Sequence, residues 1–395
     1  MVSKTSASKS KSKTKPPPKN PKRARAPKTP SAAHRDAVQS PQDQQILLDI
    51  FSDAFSTVLS SDRFPVLLQE IKQALYQREF STAFGNEAYL EAYAARWSPT
   101  RALCYASIFM DIQEHLDGMP SSDRTGTGDL PIPTEGPNST SSEEQQQVLE
   151  SGQESQHGDE EASGPGPSHL NSLRMLCIGG CAAEHVAFAS YIQASNNRHG
   201  QLTLLDSGPW APITTLLQNS VTSPPALSKY ASAAMRDSNK ALLDSNQFHC
   251  AFTQANVLDL AKDQLAEVIG SQPQIVTLLF TLNELYTGAG IGKTSTFLRT
   301  LGSVLPAESL LLVVDSPGSY SEAAVGKEKK KYPMQWLLDH TLLQSEEKTP
   351  AYTWERLESH DSLWFRLPEE LRYPIPLESM RYQLHLYRLD RDAGE

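Results

Sequence analysis

Cysteine is scarce in this chain: four in 395 residues, at positions 104, 177, 181 and 250. So few, so widely spread, build no disulfide framework and fit a reducing compartment. Cys177, Cys181 and His185 share a four-residue spacing, but Cys177 lies in an apolar strand-like run and no second ligand pair follows. No metal is therefore expected. Long apolar runs are missing too. No stretch reaches the roughly 18 residues of a membrane span, and the beginning of the chain lacks the apolar centre of a secretory signal. Serine-hydrolase chemistry has no support, because the Gly-x-Ser-x-Gly elbow is absent. A phosphate-binding loop is nearly present at Thr287-Gly-Ala-Gly-Ile-Gly-Lys-Thr294, but threonine stands where the first glycine is required. These glycines are read as a mobile turn, with Thr294 or Ser295 capping the next helix.

Apolar residues make up only 38% of the chain, and two segments account for the deficit. Residues 1–40 carry eleven Lys or Arg against one acid, Asp36, and residues 119–168 carry ten acids against Arg124. Neither buries enough surface to repay its ordering entropy, so a disordered basic tail (1–40) and a disordered acidic linker (119–168) are expected. The formal charge of −10 averages over this asymmetry. The cluster Lys11 to Arg25 has the character of a nuclear-import or nucleic-acid-contacting arm, so a nuclear location is expected, with the cytoplasm as the alternative.

Between these segments, residues 41–118 show helical periodicity and form a helical accessory region. Ile46 to Leu59 and Phe64 to Leu75 repeat apolar residues at three- and four-residue spacing. Ala88 to Trp97 predicts a third helix ending near Ser98-Pro99, and Arg101 to Leu116 a fourth. Arg78, Arg96 and Arg101 lie close to aromatics, as substrate-presenting residues would.

Residues 169–395 alternate strands with helices. Strand-like runs fall at 173–178, 202–205, 248–252, 275–280 and 309–314, with weaker ones at 363–367 and 381–388. Helices are expected at 183–194, 210–219, 226–244, 259–269 and 294–304. Such alternation predicts an α/β fold: a mostly parallel Rossmann-like sheet with helices on both faces and the ligand at the strands' carboxyl ends. The insertion at roughly 318–362 is expected to be a lid or substrate loop.

The first of these strands ends at Gly179-Gly180-Cys181-Ala182-Ala183-Glu184, a turn of small residues that admits close backbone approach. The second ends at Asp206, placed to take ribose hydroxyls. A dinucleotide, a nucleoside triphosphate and S-adenosylmethionine are the ligands to weigh. The glycine spacing of a dinucleotide site is missing. After the third strand, Asn256 suits the exocyclic amine of an adenine and Val257 its ring, with Asp259 capping a helix. The fourth delivers Thr281, Asn283, Glu284 and Tyr286 to the same edge, and the fifth delivers Asp315 under the turn Pro317-Gly318.

Thr281-Leu-Asn-Glu-Leu-Tyr286, Val313-Val-Asp-Ser-Pro-Gly-Ser-Tyr-Ser321, Tyr332-Pro-Met-Gln-Trp-Leu-Leu-Asp-His340, Trp364-Phe-Arg-Leu-Pro368 and the ending Tyr373 to Tyr387 resemble the fungal 25S (large-subunit) rRNA uridine-N3 methyltransferases. The resemblance spans roughly 45–118 and 170–390. It implies a class I methyltransferase with a seven-stranded sheet, S-adenosylmethionine as cofactor, and ribosomal RNA or the pre-ribosomal large subunit as partner, in the nucleolus. Gly179, Gly180, Glu184, Asp206, Asn256, Val257 and Thr281 would bind the cofactor. Asn283 would hold a uracil carbonyl, and Glu284 or Asp315 would take the imide proton. Tyr286 or Trp336 would stack on an extruded base, and the Lys327 to Lys331 cluster would meet phosphate. The rival reading is a non-catalytic ribosome-assembly factor that keeps the fold as an RNA-binding module.

Overall fold

The computed structural model describes residues 39–120, 171–195, 198–318, 320–325, 328–344 and 350–391. The basic tail and the acidic linker, apart from residues 39–40 and 119–120, lie outside them. So do Lys327 and the side chains of Lys329 to Lys331.

Among the described residues six helices come first: α1 (Pro41–Ala54), α2 (Ser56–Leu59), α3 (Phe64–Tyr76), α4 (Phe80–Phe84), α5 (Glu87–Asp111) and α6 (Gln113–Asp117). Ser40 opens α1 with a capping box to Asp43, satisfying two free ends at once. The expected break at Ser98-Pro99 does not occur; α5 runs through it for 25 residues. Proline removes one helical hydrogen bond and costs about 3 kcal/mol in an isolated helix. Here Ser98, Pro99 and Thr100 are all buried, and packing on several sides holds the helix together. Phe109 meets Phe188 and Tyr191 edge to face, so the helical block and the sheet share one apolar core rather than forming separate units.

The remainder runs β1 (Asn171–Ile178), α7 (Ala183–Ala194), β2 (Arg198–Asp206), α8 (Ala211–Thr222), α9 (Ala233–Ser238), β3 (Phe248–Gln254), α10 (Lys262–Ile269), β4 (Ile275–Leu279), α11 (Leu282–Ala289), α12 (Ile291–Val304), β5 (Leu310–Asp315), β6 (Tyr320–Val325), β7 (Glu328–Pro333), α13 (Met334–Leu343), β8 (Thr353–Phe365) and β9 (Met380–Asp390). Seven strands make one sheet in the order β3-β2-β1-β4-β5-β9-β8; β9 is antiparallel to both its neighbours and the other pairings are parallel. The strand order turns between β1 and β4, opening a crevice at their carboxyl ends. Alternate residues face opposite cores: Met175 and Cys177 meet the α5 and α7 side, Leu176 and Ile178 the α10 to α13 side.

Several local expectations are corrected. The helix expected at 226–244 shrinks to α9, consistent with the Pro224-Pro225 pair before it and the polar run after it. Residues 281–286, read as a polar strand exit, are the N-cap and first turns of helix α11, which takes in Thr287 to Ala289 of the expected glycine turn as well. Gly290, at φ +86°, reverses the chain before α12, so Thr294 and Ser295 are buried inside that helix rather than capping it. Asp259 closes a short turn and pairs with Lys293, while Gln264 caps α10. The insertion at 318–362 is no single loop: it contains the β6–β7 hairpin, α13 and the first ten residues of β8.

Candidate cofactor and substrate site

Two glycines shape the crevice floor. Gly179 ends β1 at φ +78°, and a Cβ there would lie 2.3 Å from the Thr281 methyl. Its carbonyl accepts a 2.9 Å hydrogen bond from the Thr281 hydroxyl, and its N–H donates to Leu205 of β2. Thr281 therefore ties the ends of β1 and β4 together. Gly180 solves a second crowding problem, because a Cβ there would sit 2.5 Å from the Glu184 carboxyl. The following Cys181, Ala182 and Ala183 are buried and small, so the turn keeps its shape without further glycines.

Above this floor is a cavity of about 510 Å³, within the range that holds a small organic ligand. Gly179, Gly180, Glu184, Asp206, Asn256, Val257, Thr281 and Glu284 line it. Asn283 and Asp315 do not. Asp315 is 2% exposed at the end of β5, where its carboxylate accepts from the N–H groups of Asn283 and Ser316. It thus closes the N-terminal end of α11. The Asn283 side-chain oxygen is buried without a hydrogen-bond partner. Asn256 spends its carboxamide on its own turn, accepting from Leu258 N–H and donating to Asp259. Tyr286 is 2% exposed within the core beneath α13, which removes it as a stacking platform. Trp336 remains exposed, stacked on Tyr332 and tilted against His340.

The opposite wall comes from the helical block. Phe80, Phe84, Tyr93 and Arg101 of α4 and α5 reach the cavity, joined by Trp210 and Phe280 from the sheet domain. The Arg101 guanidinium donates to the Tyr93 hydroxyl and lies 4.9 Å over the Phe280 ring. Phe280 holds a left-handed φ of 59°, a strained state for a bulky residue at the β4–α11 turn. The sequence offered a partial signal for Arg101, its aromatic neighbours. It offered none for Tyr93, Trp210 or Phe280, which look like ordinary core residues.

Burial sets the electrostatics. Desolvation pushes Asp206 up to about 6, against the Gly208 N–H that stabilises its charge at 2.7 Å. It pushes Glu184 to about 7 and Glu284 to about 8, with Arg101 opposing both. Three carboxyl groups and one guanidinium thus surround one cavity. S-adenosylmethionine carries a sulfonium, an ammonium and a carboxylate, two positive charges and one negative. The donor set fits it, and an uncompensated cluster of buried acids is otherwise costly.

A mostly parallel seven-stranded sheet of this order, with a small-residue turn after β1 and an acid ending β2, defines a class I S-adenosylmethionine-dependent methyltransferase. The chain belongs to the family described as "Putative SAM-dependent methyltransferase", whose model matches residues 51–388. It is 27% identical over 383 residues to the 25S rRNA (uridine(2843)-N(3))-methyltransferase of Saccharomyces cerevisiae, covering 90% of this chain and 87% of that protein. Among solved structures, an O-methyltransferase family protein from Burkholderia thailandensis is 11% identical over 84% of this chain and 71% of its own, with a TM-score of 0.33. The 16S rRNA (adenine(1408)-N(1))-methyltransferase from Catenulisporales acidiphilia is 12% identical over 56% and 89%, with a TM-score of 0.31.

Proposed function

We propose that this methyltransferase modifies N3 of a uridine in large-subunit ribosomal RNA. The observation that carries the substrate is the similarity to the yeast uridine-N3 enzyme along 90% of the chain. The site residues support the chemistry. Bound in the cleft, the cofactor supplies an electrophilic methyl group on a sulfonium. Gly179 and Gly180 would let it approach the backbone, Asp206 would take the ribose hydroxyls, and Val257 would lie against the adenine. Arg101 and Glu184 would match its charged end.

The uracil imide must lose its proton before its nitrogen attacks. Glu284 is the candidate acceptor: it lines the cavity, and although burial raises its carboxyl to about 8, a sulfonium bound in the same cavity would favour the ionised form that accepts a proton. Asp315 lies outside the lining and holds the α11 end that carries Asn283 and Glu284, which suits a positioning role. The basic tail supports a nuclear, and with this substrate nucleolar, location. The deciding experiment is nucleoside mass spectrometry of large-subunit rRNA from cells lacking the protein. Loss of 3-methyluridine, restored by the wild type and not by Glu284→Gln, is expected. Unchanged 3-methyluridine overturns the substrate assignment.

A further inference from the structure

The segment joining β8 to β9 crosses the upper end of the sheet, and its two stems hold an aromatic and cationic stack outside the cofactor cavity. Trp364, one residue before the end of β8, is 52% exposed. Leu363 and Phe365 on either side pack toward the core beneath the helical block, so Trp364 stands on the other face. The Arg366 guanidinium lies 4.1 Å from its ring centroid and that of Arg381 lies 5.9 Å away. Arg381 is the cross-strand partner of Trp364, and its Nε donates to Ser362 at 2.7 Å. Both arginines are exposed. Among the described residues no carboxylate pairs with either of them.

The topology fixes where this stack sits. β9 is antiparallel to β5 and β8 antiparallel to β9, so the end of β8 points the same way as the carboxyl ends of β1, β4 and β5. The stack thus shares the rim of the sheet that carries the cofactor cavity, on the half away from β1 and β2. The same β8–β9 segment reaches the helical block that roofs the cavity: Arg372 pairs with Gln45, Tyr373 with Ala95, and Glu378 with Arg96. An exposed indole with two guanidiniums free of carboxylates adds little to the core. It has the composition of a nucleic-acid contact, a π-face for a base and cations for phosphates.

We propose that Arg366, Trp364 and Arg381 form a docking platform for the single-stranded RNA that flanks the target base. An unstacked base extends the stack, and its neighbouring phosphates meet the guanidiniums. Because every base offers a π-face, the platform positions the strand without reading its sequence. The inference rests on RNA being the substrate, and its test separates the two.

Binding of a fluorescein-labelled oligouridylate to the full chain is followed by anisotropy, and S-adenosylhomocysteine binding by calorimetry. Trp364→Ala is expected to weaken RNA binding about tenfold. Trp364→Phe should restore most of it, with S-adenosylhomocysteine affinity unchanged in both. Arg366→Gln with Arg381→Gln should reduce the slope of log affinity against log salt by about 1.4. Equal RNA binding by wild type and Trp364→Ala overturns the platform and leaves the RNA reading standing. No RNA binding by the wild type overturns the RNA reading and the platform with it. Should Trp364→Ala lose both ligands together, the double arginine variant decides, and an unchanged salt slope overturns the proposal.

Discussion

The Tyr373 hydroxyl donates a 2.7 Å hydrogen bond to the Ala95 carbonyl, the oxygen that Pro99 leaves without its helical donor. A residue 278 positions away thus repairs the backbone defect in α5, the helix that carries Tyr93 and Arg101 to the cofactor cavity. Tyr373→Phe is expected to cost about 1 kcal/mol in urea unfolding. The cost should shrink in a Pro99→Ala background, where residue 99 regains its N–H. Equal losses in both backgrounds would show that the hydroxyl does not compensate for the proline.

Asp206→Ala should weaken S-adenosylhomocysteine binding about 10- to 100-fold, the weight of a hydrogen bond to a charged group. Calorimetry measures the affinity and circular dichroism checks the fold. Undiminished affinity removes Asp206 from the ribose role.

Glu284 and Asp315 should separate by assay. Glu284→Gln is expected to keep cofactor binding and lower single-turnover methylation of an rRNA fragment about 10²- to 10⁴-fold. Asp315→Asn removes the charge that closes α11, so it should lower the unfolding midpoint and affect turnover less. If Asp315→Asn keeps its midpoint and loses turnover as completely as Glu284→Gln, the proton acceptor is misassigned.

Stability should fall with rising pH just above neutrality. Glu284 and Glu184 are raised to about 8 and 7 from an ordinary 4.5, and Asp206 to about 6 from 3.8. The folded state therefore holds protons that the unfolded chain has released. This stabilisation is complete below the ordinary values and is lost as pH rises through the folded ones. Buried His185 and His385, lowered to about 4 from 6.5, act in the opposite sense but only below 6.5. From pH 6.5 to 8 the ligand-free midpoint should decline, and less steeply in Glu284→Gln. A flat or rising wild-type profile contradicts the assigned shifts. A cationic ligand favours the ionised carboxyl groups, so S-adenosylmethionine affinity should increase over the same interval.

Local pattern carried the sheet domain. Apolar runs at regular spacing gave its strands, and the small residues at 179–183 with Asp206 gave the crevice, because backbone approach and strand ends leave a signature within a few residues. The same local reading broke α5 at Pro99 and left Glu284 and Asp315 undivided as proton acceptors: it sees a proline or a strand-end acid, and not the partner folded against it.

By itself, then, the sequence determined the periodicities, the small-residue turn and the acids at the ends of β2 and β5, since each is written in neighbouring residues. Only the tertiary structure decided that α4 and α5 roof the cavity, that Arg101 faces Glu184 and Glu284, and that Asp315 supports α11 rather than lining the cleft. Those outcomes depend on desolvation and on contacts between segments far apart in the chain, and both exist only once the core has formed.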